Sequence, residues 1–199
     1  MCTACTQKAE SLTREGESRR SFLGGTAAMA TAPLAAAALS SEAKAQEAAS
    51  PLGASNVQSW AAFDTSGSFA PHTIPRRAAG PKAVVVEILY SSICHSDIHT
   101  YKGDWGMPTF PLVPGHEMVG RVTGVGAEVT KFREGDIAGV GTMVDSCGEC
   151  ANCLADREQN CLNGTTFTYH SPDKISGEVT YGGSSTQIVV KEDFALRLP

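Results

Sequence analysis

Residues 145–161 read DSCGECANCLADREQNC, and this stretch decides how the chain is read. Its four cysteines, Cys147, Cys150, Cys153 and Cys161, follow a C-x2-C-x2-C-x7-C spacing. Thiolates packed that densely in one loop can all reach a single tetrahedral Zn²⁺ at about 2.3 Å, and a Cys₄ shell leaves no open coordination position. Such an ion is structural. The loop around the cysteines (Asp145, Ser146, Gly148, Glu149, Asn152) is polar, with little apolar content to fold it, so the metal has to order it. The other reading of the same cysteines is two disulfides, with three connectivities.

Outward from the loop, the sequence reads as strands. Ala83–Ser91 (AVVVEILYS) is a β-branched run bounded by Gly80-Pro81. Residues 118–125 (MVGRVTGV) and 137–144 (IAGVGTMV) read as glycine-rich strands, where glycine signals a bulge, a bend or a close backbone approach. Turn residues fill 126–136, and 187–190 and 194–198 read as two further short strands. The best helical candidate runs from Ser96 to Lys102, opened by Ser96 or Asp97 as a cap. The expected fold is therefore mainly β and barrel-like, with long loops.

The N-terminal residues stand apart. Ser18-Arg19-Arg20-Ser21-Phe22-Leu23, a weakly apolar stretch to Leu39 broken by Pro33, and Ala43-Lys44-Ala45 together resemble a twin-arginine export signal. The other reading is an alanine-rich N-terminus that happens to contain Arg-Arg. The first reading implies a signal peptide over 1–45, a flexible lead-in over 46–56, one domain over 57–199, and a periplasmic protein. The apolar stretch is too short and too interrupted for a membrane anchor. The formal charge of −5, with no basic stripe, argues against nucleic acid as a partner. Of the seven cysteines, Cys2 and Cys5 fall in the leader, which leaves Cys94 as an odd fifth beside the cluster. Export in the folded state would let zinc, loaded beforehand, shield the cluster from oxidation.

Cys94-His95-Ser96-Asp97-Ile98-His99 follows the first long strand, and Gly115-His116-Glu117 comes 22 residues after Cys94. Cysteine and histidine with an open position form a catalytic kind of zinc shell. Glu117 is a candidate third ligand, and Asp97 a candidate carboxylate to orient His116. Read on spacing alone, a cysteine such as Cys94 is more often a small buried hydrophobe, and a histidine such as His116 more often a satisfied core residue.

Cys94-His95-Ser96-Asp97, then Pro114-Gly115-His116-Glu117 with Gly120, Gly126 and Val129, then the four-cysteine loop, resemble the zinc-dependent alcohol dehydrogenases of the medium-chain dehydrogenase/reductase superfamily. The nearest branch resembles the cinnamyl-alcohol-dehydrogenase-like aldehyde reductases, which mostly use NADPH. The resemblance covers residues 57–199. It implies a GroES-like catalytic domain, a partly open β-barrel, with one structural and one catalytic zinc. It implies Cys94 and His116 as catalytic zinc ligands with Glu117 alternating or additional, Ser96 as the hydroxyl that passes the substrate proton on, and His99 as the relay to solvent. The substrate class is a small alcohol or aldehyde, converted with NADP(H). Alternative readings stand beside these: Ser96 as a helix cap, His99 as a surface residue. Trp105, with Met107 and Phe110 near it, reads either as an apolar pocket wall or as core.

The chain departs from the family in two ways. No G-x-G-x-x-G fingerprint occurs, so the Rossmann domain, the cofactor-binding residues and a third cysteine ligand are expected to be missing from this chain, and the polypeptide alone to be poorly active. The missing half would be either lost or a separate partner. Ser184 also stands after Gly182-Gly183, where the family usually has an aromatic residue. The competing functional reading is a non-catalytic, zinc-stabilised β-barrel that binds a partner.

Overall fold

A computed structural model describes residues 52–199. The export signal, the cleavage signature, Cys2 and Cys5 lie outside the described residues. The chain begins with a hairpin, β1 (Ser55–Ala62) and β2 (Phe69–Arg76), and continues through β3 (Ala83–Ser91), α1 (His95–Lys102) and β4 (Met118–Val125). Then come β5 (Ile137–Val140), β6 (Met143–Asp145), β7 (Thr166–Phe167), β8 (Gln187–Lys191) and β9 (Ala195–Leu198). Among the described residues no helix is long and apolar enough to cross a membrane.

The centre is an antiparallel sheet of five strands in the order β8-β3-β4-β5-β9. Strand β3 is the inner strand whose run of apolar residues does not alternate, and the structure shows why. Val84 and Val86 face a core with Val122, Val140, Ile188 and Val190, while Ala83 and Val85 face a second cluster with Val189 and Leu52. Each fully buried valine contributes about 1.5–3 kcal/mol relative to exposure, so covering both faces fixes this strand inside the sheet, between β8 and β4. The hairpin docks on the same body: Trp60 N–H donates to Ser184 O at 2.8 Å and Thr186 N–H to Gln58 O at 2.9 Å. Arg76, at the end of β2, is buried and donates to Tyr181 O, Gly182 O and Ser185 Oγ. Among the described residues the strands do not close into a ring.

Several expectations need correction. The lead-in over 46–56 is not wholly flexible, because β1 starts at Ser55 and Ala79 N–H donates to Leu52 O at 2.9 Å. The expected strand 137–144 is two strands with a change of partner: β5 pairs with β4 and β9, and β6 with β7. The helix opens one residue earlier than expected. Cys94 itself is the N-cap, with extended backbone, and Asp97 reaches back to its N–H.

The glycines of β4 behave as expected. The β3–β4 register is irregular between Val85 and Val86 and between Ile88 and Tyr90, opposite Gly124 and Gly120. A Cβ on Gly120 would run into the Glu87 carbonyl and the Val86 side chain. The variant Gly120→Ala is therefore expected to lose about 1–3 kcal/mol of stability, the range for overpacking. A urea midpoint that falls with unchanged slope would show it; an unchanged midpoint would contradict the close approach.

Candidate functional site

The cysteine loop hangs between β6 and β7. The sulfurs of Cys147 and Cys153 are 3.8 Å apart, those of Cys150 and Cys153 3.4 Å, and those of Cys161 and Cys147 3.4 Å. Four sulfurs at about 2.3 Å from one tetrahedral ion stand about 3.8 Å apart, so the cluster is close to zinc geometry. Among the described residues all five cysteines are free, and no disulfide joins this loop. Backbone N–H groups of Glu149 and Cys150 aimed at Cys147 pull its thiol down to about 6. Cys153 moves up to about 11; the Ser146 hydroxyl draws it down, but burial and the neighbouring sulfurs outweigh that. A divalent cation overrides both tendencies and takes all four as thiolates. The donor set fits zinc.

The second cluster forms where β3 ends and β4 begins. Ligand atoms of Cys94, His116 and Glu117 all lie within 4.8 Å of one another. Cys94 caps α1, His116 is 7 % exposed, and Glu117 is exposed and accepts from Ser92 Oγ. Asp97, 4 % exposed, stands behind them. Its Oδ1 accepts from His116 Nδ1 at 3.0 Å and from Gly115 N–H at 3.1 Å, and its Oδ2 accepts from Cys94 N–H at 2.9 Å. With Nδ1–H given to Asp97, His116 presents the lone pair of Nε2, which is what a carboxylate–histidine–metal arrangement requires. Ser96 Oγ lies 3.3 Å from that Nε2. The Cys94 thiol is lowered, chiefly by the Ser96 hydroxyl and backbone N–H, with His116 adding to it. A soft thiolate, an oriented imidazole and an adjustable carboxylate with room beside them fit a zinc ion.

The remaining residues singled out in the sequence lie on or just after α1. His99 Nδ1 pairs with Asp104 Oδ2 at 2.7 Å, with His99 half-buried and Asp104 exposed. Trp105 is 68 % exposed and lies over His99, with ring centroids 5.0 Å apart, so it is not a core residue. Met107 is exposed too. No hydrogen bond joins Ser96 to His99 among the described residues. Two residues near the site escaped the sequence reading. Asp104 follows α1 and carries the charge His99 meets. Tyr169 stacks on His116 with centroids 5.9 Å apart and 25° between planes. A carboxylate just past a helix that bears a histidine is a usable signal for the first. Nothing local signals the second, which lies 53 residues beyond His116.

Residues 80–199 match the alcohol dehydrogenase GroES-like domain. Curated relatives include the NADP-dependent alcohol dehydrogenase C of Mycobacterium tuberculosis, 50 % identical over 145 residues, which are 73 % of this chain and 42 % of that protein. A counterpart in Mycolicibacterium smegmatis is also 50 % identical, over 146 residues. This chain thus spans about two fifths of the length of the curated relatives it matches. Among solved structures, the CAD of Helicobacter pylori complexed with NADP(H) is 39 % identical with a TM-score of 0.69, covering 73 % of this chain and 42 % of that one. A cinnamyl alcohol dehydrogenase of Sorghum bicolor is 42 % identical with a TM-score of 0.69, covering 73 % and 41 %.

Stripping metal with a strong chelator is expected to melt the loop over residues 147–164 and spare the sheet. Hydrogen exchange reads this: loop amides lose protection while those of Val84, Val86 and Val122 keep theirs. Loss of protection in both would contradict a loop ordered separately by its metal.

Proposed function

This chain belongs to the alcohol dehydrogenase family through its GroES-like domain, and from that premise we propose that it supplies the metal- and proton-handling part of a zinc-dependent oxidoreductase that interconverts a primary alcohol and an aldehyde with NADP(H). The observation that carries this reading is the convergence of Cys94, His116 and Glu117 within 4.8 Å, with Asp97 holding His116 from behind. Zinc bound there supplies a Lewis acid for the substrate oxygen. The use of NADP(H) follows the printed names of the relatives.

The chain's own residues do the rest. Asp97 keeps the His116 proton on Nδ1. Ser96, beside His116 Nε2, is placed to take the hydroxyl proton as hydride leaves the alcohol carbon and to return it when an aldehyde is reduced. His99 sits one turn further along α1, where its imidazole can hand the proton to solvent. Because the two are not directly bonded, a bridging hydroxyl or water completes the path. Asp104 holds the His99 ring by Nδ1. Trp105 offers an exposed aromatic wall for the organic part of the substrate.

Residues 57–199 carry no glycine-rich strand-turn-helix fingerprint. The nearest stretch, Gly124-Val125-Gly126, closes β4 and returns to Ala83 through the Gly126 N–H. The dinucleotide seat accordingly lies outside these residues, and by themselves they turn over slowly. Export to the periplasm is part of the proposal and rests on Ser18–Leu23 and Ala43–Ala45 in the sequence. A second reading, a zinc-stabilised binding module, draws on the exposed apolar side chains Tyr90, Ile93 and Leu196.

Metal analysis separates the two readings. The purified chain is expected to hold two zinc ions, and Cys94→Ala only one. A wild-type chain with a single zinc, unaffected by Cys94→Ala, would favour the binding module. Aldehyde reduction with NADPH by the 199-residue chain at ordinary rates, on the order of 1–10³ per second, would contradict a dinucleotide seat outside residues 57–199.

A further inference from the structure

Tyr169 has no part in the chemistry above, yet it is placed with care. The preceding residue, Thr168, is buried and its hydroxyl donates to Gly141 O. The following residue, His170, is held at a φ of 52° and its N–H donates to Thr180 O at 3.0 Å. The loop is fixed on both sides of the tyrosine. Its ring faces the His116 ring, with centroids 5.9 Å apart and 25° between planes. Its hydroxyl lies 3.3 Å from Thr100 Oγ1, which donates to Ser96 O at 2.9 Å. Thr100 and Ser96 are both on α1, the helix that Cys94 caps.

The hydrogen bond from Nδ1 to Asp97 fixes where the His116 ring points, and the longer contact of Nε2 with Ser96 Oγ, at 3.3 Å, leaves the ring room to rock about that bond. Nε2 then sweeps an arc across the metal position. A flat surface against the ring face removes this freedom, and Tyr169 is that surface. We propose that Tyr169 is a positioning residue for the open zinc site: its face clamps His116, and its hydroxyl ties the clamp to the helix that carries Cys94. The inference rests on the metal reading given above.

The stacking also has a sign. An imidazole bound to a cation is electron-poor, and the face of a phenol ring is electron-rich. The contact is therefore stronger with metal in place than without it, and part of that difference adds to metal affinity. Burial, with Asp97 nearby, raises the Tyr169 hydroxyl well above the ordinary phenol range, so it stays neutral and free to hydrogen-bond Thr100.

Chelator competition on the two-zinc protein tests the proposal, because the cysteine cluster serves as an internal control. Tyr169→Leu is expected to weaken the open site by about 10–100-fold, the usual effect of losing a partner behind a ligand. Tyr169→Phe, which keeps the face and loses only the hydroxyl, is expected to stay within about threefold of wild type, a fraction of what such a partner is worth. The cysteine site is expected to be unchanged in both variants, and the visible band of cobalt at the open site to shift in the leucine variant alone. Wild-type affinity in Tyr169→Leu, or an equal loss in Tyr169→Phe, would overturn the role of the ring face. Should the leucine variant not fold, the wild-type protein decides: the His116 ring protons lie upfield under the tyrosine, and their absence there overturns the proposal. A wild-type protein with one zinc would instead remove the metal reading itself, which is a separate result.

Discussion

One buried carboxylate connects the fold to the chemistry. Asp97 accepts N–H groups from Cys94, Gly115 and His116, and it is almost fully withdrawn from water. An isolated charge there would be costly; three donors, one of them an imidazole, offset the lost hydration. The three donors come from two chain segments, the cap of α1 and the turn before β4. Those segments meet because β3 and β4, through two register irregularities, stay paired down to Ser91 opposite Met118. A slip of one residue would turn every side chain of β4 to the other face and carry His116 away from Cys94. The turn also demands Gly115, whose φ of 103° and contact with the Ser184 backbone leave no room for a side chain.

The two candidate metal clusters depend on the fold to different degrees. The four-cysteine loop supplies all its own ligands within 15 residues, and its backbone N–H groups aim at its own sulfurs. At its root Lys191 reaches Asp145, the last residue of β6, at 3.8 Å. The cluster at Cys94 is the reverse. Its ligands come from two strand ends, its orientation from a helix, and its far wall from Tyr169 on a distant loop. A closed site needs only spacing, whereas an open one needs a scaffold to keep a coordination position clear.

That difference also explains what could be read from the sequence. The cysteine spacing announced its own geometry. Strand β3 was legible because four buried residues in a row leave no polar alternation to confuse it. The hairpin carries no such signal: β2 reads FAPHTIPR, whose two prolines cannot donate to a ladder and so argue against a central strand. The cap of α1 is hard to read locally because cysteine is not a usual capping residue; here the N–H of Cys94 is satisfied by Asp97 instead. Cys94 and His116 announced little by spacing alone, since their meeting depends on sheet register. The motif order supplied what spacing lacked. Tyr169 was out of reach because its stacking partner is set by the path of a long loop, not by local pattern.

X-ray absorption at the zinc edge measures the central claim most directly. With both clusters filled, the averaged shell combines five sulfurs, four from the loop and one from Cys94, with lighter nitrogen and oxygen ligands from His116 and Glu117. The account predicts that mixed shell. A spectrum of sulfur alone, at about 2.3 Å and with one ion per chain, would contradict it.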